Sequence, residues 1–292
     1  MIRIINQGGL GNQLFIWNLA HYYRSLYSDR VVIYFGPGHI RSNLNQDTIA
    51  PLVNFCSHSI EIKTLNTWFV HLVIKIIDKL SIRFPKLVRQ IKSILKIVDV
   101  ESSTNFVENR GKKPLLVRGF FQNSTEVWNR KEVLFQEINS WLLELNSSLR
   151  SRGINFVGET YQSCHVRRGD YRKIEKKYGL LNLNYYAKNI RPDLKCLIAS
   201  DDRNIQEEFS QEVIKYQFIS NENFTAWETF SILSGSKYLI MGNSTYSWWA
   251  GFMVNMSGGS AIAPKPWFKN LSFGENYLCL PGLSHSAAEF EN

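Results

Sequence analysis

Cysteine is scarce in this 292-residue chain, and the four present, Cys56, Cys164, Cys196 and Cys279, never fall in C-x-x-C spacing. That excludes a disulfide framework or a zinc knuckle as the basis of folding. With no export signal ahead of them, they read as reduced, cytoplasmic core thiols. A membrane span is lacking too. Tyr238 to Pro264 carries no charge and is long enough, but Asn243, Ser244, Thr245, Ser247, Asn255, Ser257, Gly258 and Gly259 interrupt it. There is no internal repeat and no low-complexity tract. What remains, 44% hydrophobic and 20% charged residues, is the composition of a packed protein with room for two domains, each with its own core.

Acids are missing from one window in particular. From Lys63 to Lys96 eight cations stand against one acid, Asp78, so this stretch supplies seven of the nine net positive charges. Lys75, Lys79, Arg83, Lys86, Arg89, Lys92 and Lys96 recur at steps of three or four, with Ile76, Ile77, Leu80, Leu87, Val88, Ile91, Ile94 and Leu95 in the gaps. This is the pattern of basic amphipathic helices over about 66–98. Pro85 splits the stripe and predicts two helices meeting near Phe84. A solvated surface and an anionic membrane surface are both open as readings. No base-stacking or groove-reading motif accompanies the charge, so no nucleic-acid partner is expected.

Elsewhere strands and helices alternate. Met1 to Asn6, Val31 to Phe35, Ile60 to Ile62 and Leu115 to Val117 read as strands, followed by a helical run from about Glu126 to Leu145. A polar, glycine-containing stretch from Asn146 to Gly158 reads as a linker. After it come short strands at Ser163 to Val166, Cys196 to Ala199, Tyr216 to Ile219, Tyr238 to Met241 and Ala261 to Ala263. The expectation is two α/β domains facing a central cleft, divided at 1–155 and 156–292, with mainly parallel sheets.

Ligands of doubly wound sheets gather at the carboxyl ends of strands, which directs attention to four loops. Gly8-Gly9-Leu10-Gly11-Asn12 lacks the Gly-Lys-Ser/Thr ending of a P-loop and the third glycine of a dinucleotide fingerprint. It is a tight turn or an anion-facing helix start. His165-Val166-Arg167-Arg168-Gly169-Asp170 sets two guanidiniums side by side at a strand end. An Arg–Asp170 pair would account for one of them, and a diphosphate accounts for both. Asp201 and Asp202, after the strand KCLIA, either cap the next helix or accept hydrogen bonds from ribose hydroxyls or guanine. They do not have the Asp-x-Asp spacing of a metal–nucleotide site. Asn243, Ser244 and Thr245 can cap the following helix and offer hydroxyls and amides to a phosphate, while Trp248 and Trp249 read as core.

With these loops in place, the sequence resembles the bacterial α-1,2-fucosyltransferase family. The matching text is GGLGNQLF at Gly8 to Phe15, HVRRGDY at His165 to Tyr171, SDD at Ser200 to Asp202, NSTYSWWAG at Asn243 to Gly251 and IAPKPWF at Ile262 to Phe268. The resemblance implies a GT-B type fold of two Rossmann-like domains. It also implies metal-independent, inverting transfer of L-fucose from GDP-β-L-fucose to the 2-OH of a galactose in a surface oligosaccharide; were that acceptor lipid-linked at the inner membrane face, the basic helices would place the enzyme beside it. No cofactor or metal is expected. Carried onto this chain, the catalytic residues would be Arg167, Asn12 and Asp170. Arg167 would hold the diphosphate, with Arg168 supporting it or holding the loop. His165, Asp201 and Asp202 would read guanine or ribose, Asn243, Ser244 and Thr245 would help with the diphosphate, and Gly9, Gly11 and Asn12 would close over the donor. An inverting displacement also wants a base, for which Asp170 and His165 are both open. The competing reading is an inactive, membrane-docking scaffold of the same fold. A dinucleotide oxidoreductase rests on the partial glycine loop alone.

Overall fold

A computed structural model describes residues 1–6, 8–28, 30–35, 47–56, 60–64, 76, 79–80, 82–100, 113–154, 160–202, 204–209, 216–220, 223–273 and 278–291. The chain divides into two compact units, Met1–Asn129 and Arg130–Asn292. Each is built on one wholly parallel sheet.

The first unit contains strands β1 (Ile2–Ile5), β2 (Val31–Phe35), β3 (Ile60–Thr64), β4 (Ile97–Val100) and β5 (Leu116–Gly119), in the spatial order β3-β2-β1-β5-β4. Helix α1 (Leu10–Tyr27) returns the chain from β1 to β2 and buries Leu14, Phe15, Ile16, Trp17 and Leu19 completely. Helices α2 (Ala50–Cys56) and α3 (Pro85–Ile94) precede β3 and β4, and α4 (Ser124–Trp128) follows β5. Pro85 occupies the first turn of α3, where its missing N–H leaves no helical bond unmade. Phe84, with φ −135° and ψ 62°, breaks the helical path before it, as the sequence predicts. The helical stripe does not run to 98, however. Ile97 and Val98 belong to β4, where a β-branched pair bonds to β5. Lys75, Ile77 and Asp78 lie outside the described residues.

In the second unit the long helix α5 (Lys131–Ser151) comes before the sheet. The expected division at 155 and 156 had placed this segment in the first domain. The compact units divide instead between Asn129 and Arg130, because α5 packs on two helices of the second unit, α9 (Ala226–Ser234) and α10 (Thr245–Met256). Its Leu134, Ile138 and Leu142 are buried, and Trp141 meets Trp227 edge-on at 6.1 Å.

The strands β6 (Tyr161–Val166), β7 (Lys195–Ser200), β8 (Tyr216–Ser220), β9 (Tyr238–Ile240), β10 (Ser260–Lys265) and β11 (Ser284–Ala287) lie in the order β8-β7-β6-β9-β10-β11. Counted within the unit this is 3-2-1-4-5-6, the dinucleotide-fold order whose winding reverses between its first and fourth strands. The short helices α6 (Glu175–Tyr178), α7 (Leu183–Ala187) and α8 (Ile205–Phe209) join the strands ahead of α9 and α10.

Trp248 and Trp249 are fully buried, which settles them as core, since a stacking platform must face a ligand. Cys164 and Cys196 are core thiols on adjacent strands, 3.9 Å apart. Cys56 and Cys279 are only half-buried, which corrects the expectation of four core thiols. Among the described residues no helix is long and apolar enough to cross a membrane.

Candidate functional site

In the second unit the winding reverses between β6 and β9, and the loops leaving these strands carry the arginine and cap motifs. They approach very closely. A Cβ built on Gly242 would stand 2.6 Å from the His165 carbonyl oxygen, so only glycine lets the two loops meet there.

Arg167 remains partly accessible, with 28% of its side chain exposed, while Arg172 in the same loop is 46% exposed. The two terminal nitrogens of Arg167 donate to Asp170 and Asp201, and its guanidinium lies 5.2 Å from the centre of the Tyr171 ring. Asp201 also accepts the backbone N–H groups of Arg168 at 2.8 Å and Gly169 at 3.0 Å, so its carboxylate holds the turn around Arg167. A side chain on Gly169 would strike that carboxylate at 2.2 Å.

Arg168 has the opposite setting: 1% exposed, ion-paired to Glu291 and lying 3.7 Å from Glu208. Burial lowers its pKa from the ordinary arginine value. The second arginine thus ties the loop after β6 to Glu291, while its Nε and Nη2 have no hydrogen-bond partner among the described residues. Asp202 is occupied as well, taking Arg172 at 2.9 Å and the Asn204 amide at 3.0 Å. Burial pushes its carboxyl up, but these donors outweigh burial and leave its pKa below the usual value.

His165 is 6% exposed, with Nδ1 2.7 Å from Ser247 Oγ and its ring 5.1 Å from that of Tyr246. Burial, reinforced by the charge of Arg167, pulls its pKa down to about 3, so the imidazole is neutral at physiological pH. Ser247 Oγ accepts the Gly242 amide at 3.0 Å, linking this histidine to the turn before α10. Ser244 caps α10 by accepting the Ser247 amide at 3.2 Å. Thr245 opens the helix, half-buried, at its positive end. Asn243 is fully buried. Its amide donates to the carbonyls of Tyr178 and Gly179 while Oδ1 has no partner.

The first unit has its own reversal of winding, between β1 and β5, and it collects carboxamides. Asn12 Oδ1 accepts from Gln122 Nε2 at 2.8 Å, and Gln122 follows β5. Gly8, at φ +77°, lies so close to Asn12 that a Cβ would come within 2.3 Å of its amide nitrogen. Gln13 pins the loop by donating to the Gly8 carbonyl and accepting from the Ile49 amide, both at 3.0 Å. Gly9 is different. Its φ of −74° suits any residue, and a Cβ there would meet none of the described residues within 4 Å. It is the N-cap of α1 and supplies no side-chain cap, so the helix start keeps its unpaired amides. Gly11 is buried in the first turn.

The site residues thus form two groups: Gly9, Gly11 and Asn12 in the first unit, and His165, Arg167, Arg168, Asp170, Asp201, Asp202, Asn243, Ser244 and Thr245 around one strand-end region in the second. Sequence reading missed Gln122, Gln13, Ser247, Glu291 and Asn6. Asn6, just after β1, is 3% exposed, and neither side-chain amide atom has a partner among the described residues. A polar side chain ending a buried strand was the signal available for it. Among the described residues, no three of His, Cys, Asp and Glu gather as metal ligands.

Three comparisons bear on these two sheets. The α-1,2-colitosyltransferase of Escherichia coli is 26% identical over 277 residues, covering 90% of each chain. The O-antigen biosynthesis glycosyltransferase WbnK of Escherichia coli is 28% identical over 163 residues, covering 51% of this chain and 54% of its own. The solved fucosyltransferase NodZ from Bradyrhizobium superposes with a TM-score of 0.48 at 13% identity, over 87% of this chain and 93% of its own. The family model for glycosyl transferase family 11 matches residues 1–276, nearly the whole sequence and every loop described above, and the chain belongs to that family.

Proposed function

We propose that this glycosyltransferase moves L-fucose from GDP-β-L-fucose, with inversion and without a metal, to the 2-OH of a galactose in a surface or O-antigen oligosaccharide. The observation that carries the reading is Arg167, a part-exposed guanidinium where the winding of a 3-2-1-4-5-6 sheet reverses, beside the start of α10. As the donor bond breaks, negative charge grows on the departing GDP. A fixed guanidinium and a helix N-terminus stabilise that charge because they are oriented before it forms. Asp201 holds Arg167 in place meanwhile, and a diphosphate competes with Asp170 for its N–H groups.

The same competition bears on the base. His165 is buried with its Nδ1 engaged by Ser247, so it is poorly placed to reach an acceptor hydroxyl. Asp170 is 63% exposed, and its carboxylate is released when a phosphate takes over Arg167. We therefore assign it the base. Gly9 supports a donor contact in the first unit as well, since nothing among the described residues requires glycine there.

A second donor reading, colitose in place of fucose, rests on the name of the 26% identical relative. The test is incubation with GDP-fucose or GDP-colitose, excess EDTA and galactose-terminated oligosaccharides, following GDP release and product mass. A fucosylated product is expected. A product from the colitose donor alone would replace the donor assignment, and failure to bind GDP at all would overturn the reading and favour the scaffold.

A further inference from the structure

Around α3 the protein exposes large apolar side chains that the donor site does not use. Ile82 is 86% exposed, Ile94 78%, Leu87 54% and Leu95 51%, and Leu80 and Phe84 are exposed too. At 100° per residue, Leu87, Ile91 and Ile94 share one arc of α3, whereas Lys86, Arg89 and Lys92 lie across the helix. Only Val88 on this helix is buried, and α3 packs on β4. The helix contains no acid. Lys79, Arg83, Lys86, Arg89 and Lys96 are exposed and make no ion pair among the described residues, although Arg83 lies 5.8 Å from the centre of the Phe84 ring.

We propose that α3 and the residues flanking it dock this enzyme on an anionic lipid surface. An interfacial helix needs these two features together, apolar side chains to enter the acyl boundary and cations to meet the headgroups. Charge complementarity selects the occupant. A nucleic acid would engage the cations and leave Leu87, Ile94 and Leu95 in water. A second copy of this chain would bring two strongly basic surfaces together and pay their repulsion. An anionic bilayer takes up both the charge and the apolar area.

The full-length protein is co-sedimented with phosphatidylcholine vesicles, with and without phosphatidylglycerol, and compared with Lys86→Glu/Arg89→Glu and Leu87→Ser/Ile94→Ser. GDP binding and melting temperature serve as fold controls. The expected result is binding that requires phosphatidylglycerol, weakens with salt, and falls at least about tenfold in each double variant. Should a double variant fail to fold, Ile94→Ser serves alone, because a side chain 78% exposed contributes little to the core. Absence of wild-type binding, equal binding to neutral vesicles, or apolar variants that bind like wild type would overturn the proposal. So would concentration-dependent self-association lost in those same variants, which would assign the face to a second copy.

Discussion

Arg167 and Arg168 are neighbours in sequence with opposite settings, and substitution should separate their roles. Arg167→Ala leaves the largely buried Asp201 without its guanidinium partner, so stability should fall by about 1–3 kcal/mol. In transfer assays kcat should fall about a hundredfold or more, the scale of losing one electrostatic transition-state contact. A rise confined to KM would contradict the role given to it. Arg168→Ala removes a buried guanidinium but leaves its partner Glu291 at 35% exposure, and should lower unfolding free energy by about 1–3 kcal/mol in denaturant titrations. Asp170→Asn should retain GDP affinity and lose kcat; retention of both would remove the base assignment.

His165 gives a prediction in pH. The unfolded imidazole takes up a proton near its ordinary 6.5, while the buried native one refuses it down to about 3. The unfolded state therefore binds more protons in that window, and stability falls as pH drops from about 6.5 toward 3, by at most about 1.4 kcal/mol per pH unit from this group. Above 6.5 its contribution is constant. Unfolding midpoints across this range should show a shallower acid slope for His165→Asn, and an unchanged slope would mean that the native histidine takes up its proton normally.

At the scale of elements, glycine positions distinguish packing from ligand approach. Gly242→Ala places a methyl 2.6 Å from a backbone carbonyl that cannot rotate away, so the loops after β6 and β9 must separate, with loss of both stability and GDP binding. Gly9→Ala meets no described residue within 4 Å. Its melting temperature should stay near wild type, while donor turnover falls if a ligand passes that backbone closely.

Most strands were legible because buried parallel strands are short apolar runs ended by turn residues, as in VVIYF and YLIM. Two strands were not. SHSA, now β11, is a largely exposed edge with no apolar signal, and the IVDV of β4 continues the helical spacing that precedes it. The strand-end loops of the site were legible from their glycines and paired charges. Their supports were not, because Gln122 lies 110 residues from Asn12 and Glu291 lies 123 from Arg168. Sequence spacing does not encode such pairs, and for that reason Asp201 read as a nucleoside ligand although its carboxylate is shared among Arg167 and two backbone amides.

At the scale of the whole molecule, charge and chemistry are segregated. Seven of nine net charges lie between Lys63 and Lys96, away in sequence from the arginines that the donor reading requires. Arg167 follows a strand of one sheet, and the start of α1, which has no side-chain cap, follows a strand of the other. The central claim is that Arg167 holds the diphosphate, and its most direct test is calorimetric titration of GDP into wild-type and Arg167→Ala protein in excess EDTA. The account predicts wild-type binding unaffected by EDTA and affinity at least about tenfold weaker in the variant, a difference of about 1.4 kcal/mol. Equal affinity in the two proteins, or binding abolished by EDTA, would contradict it.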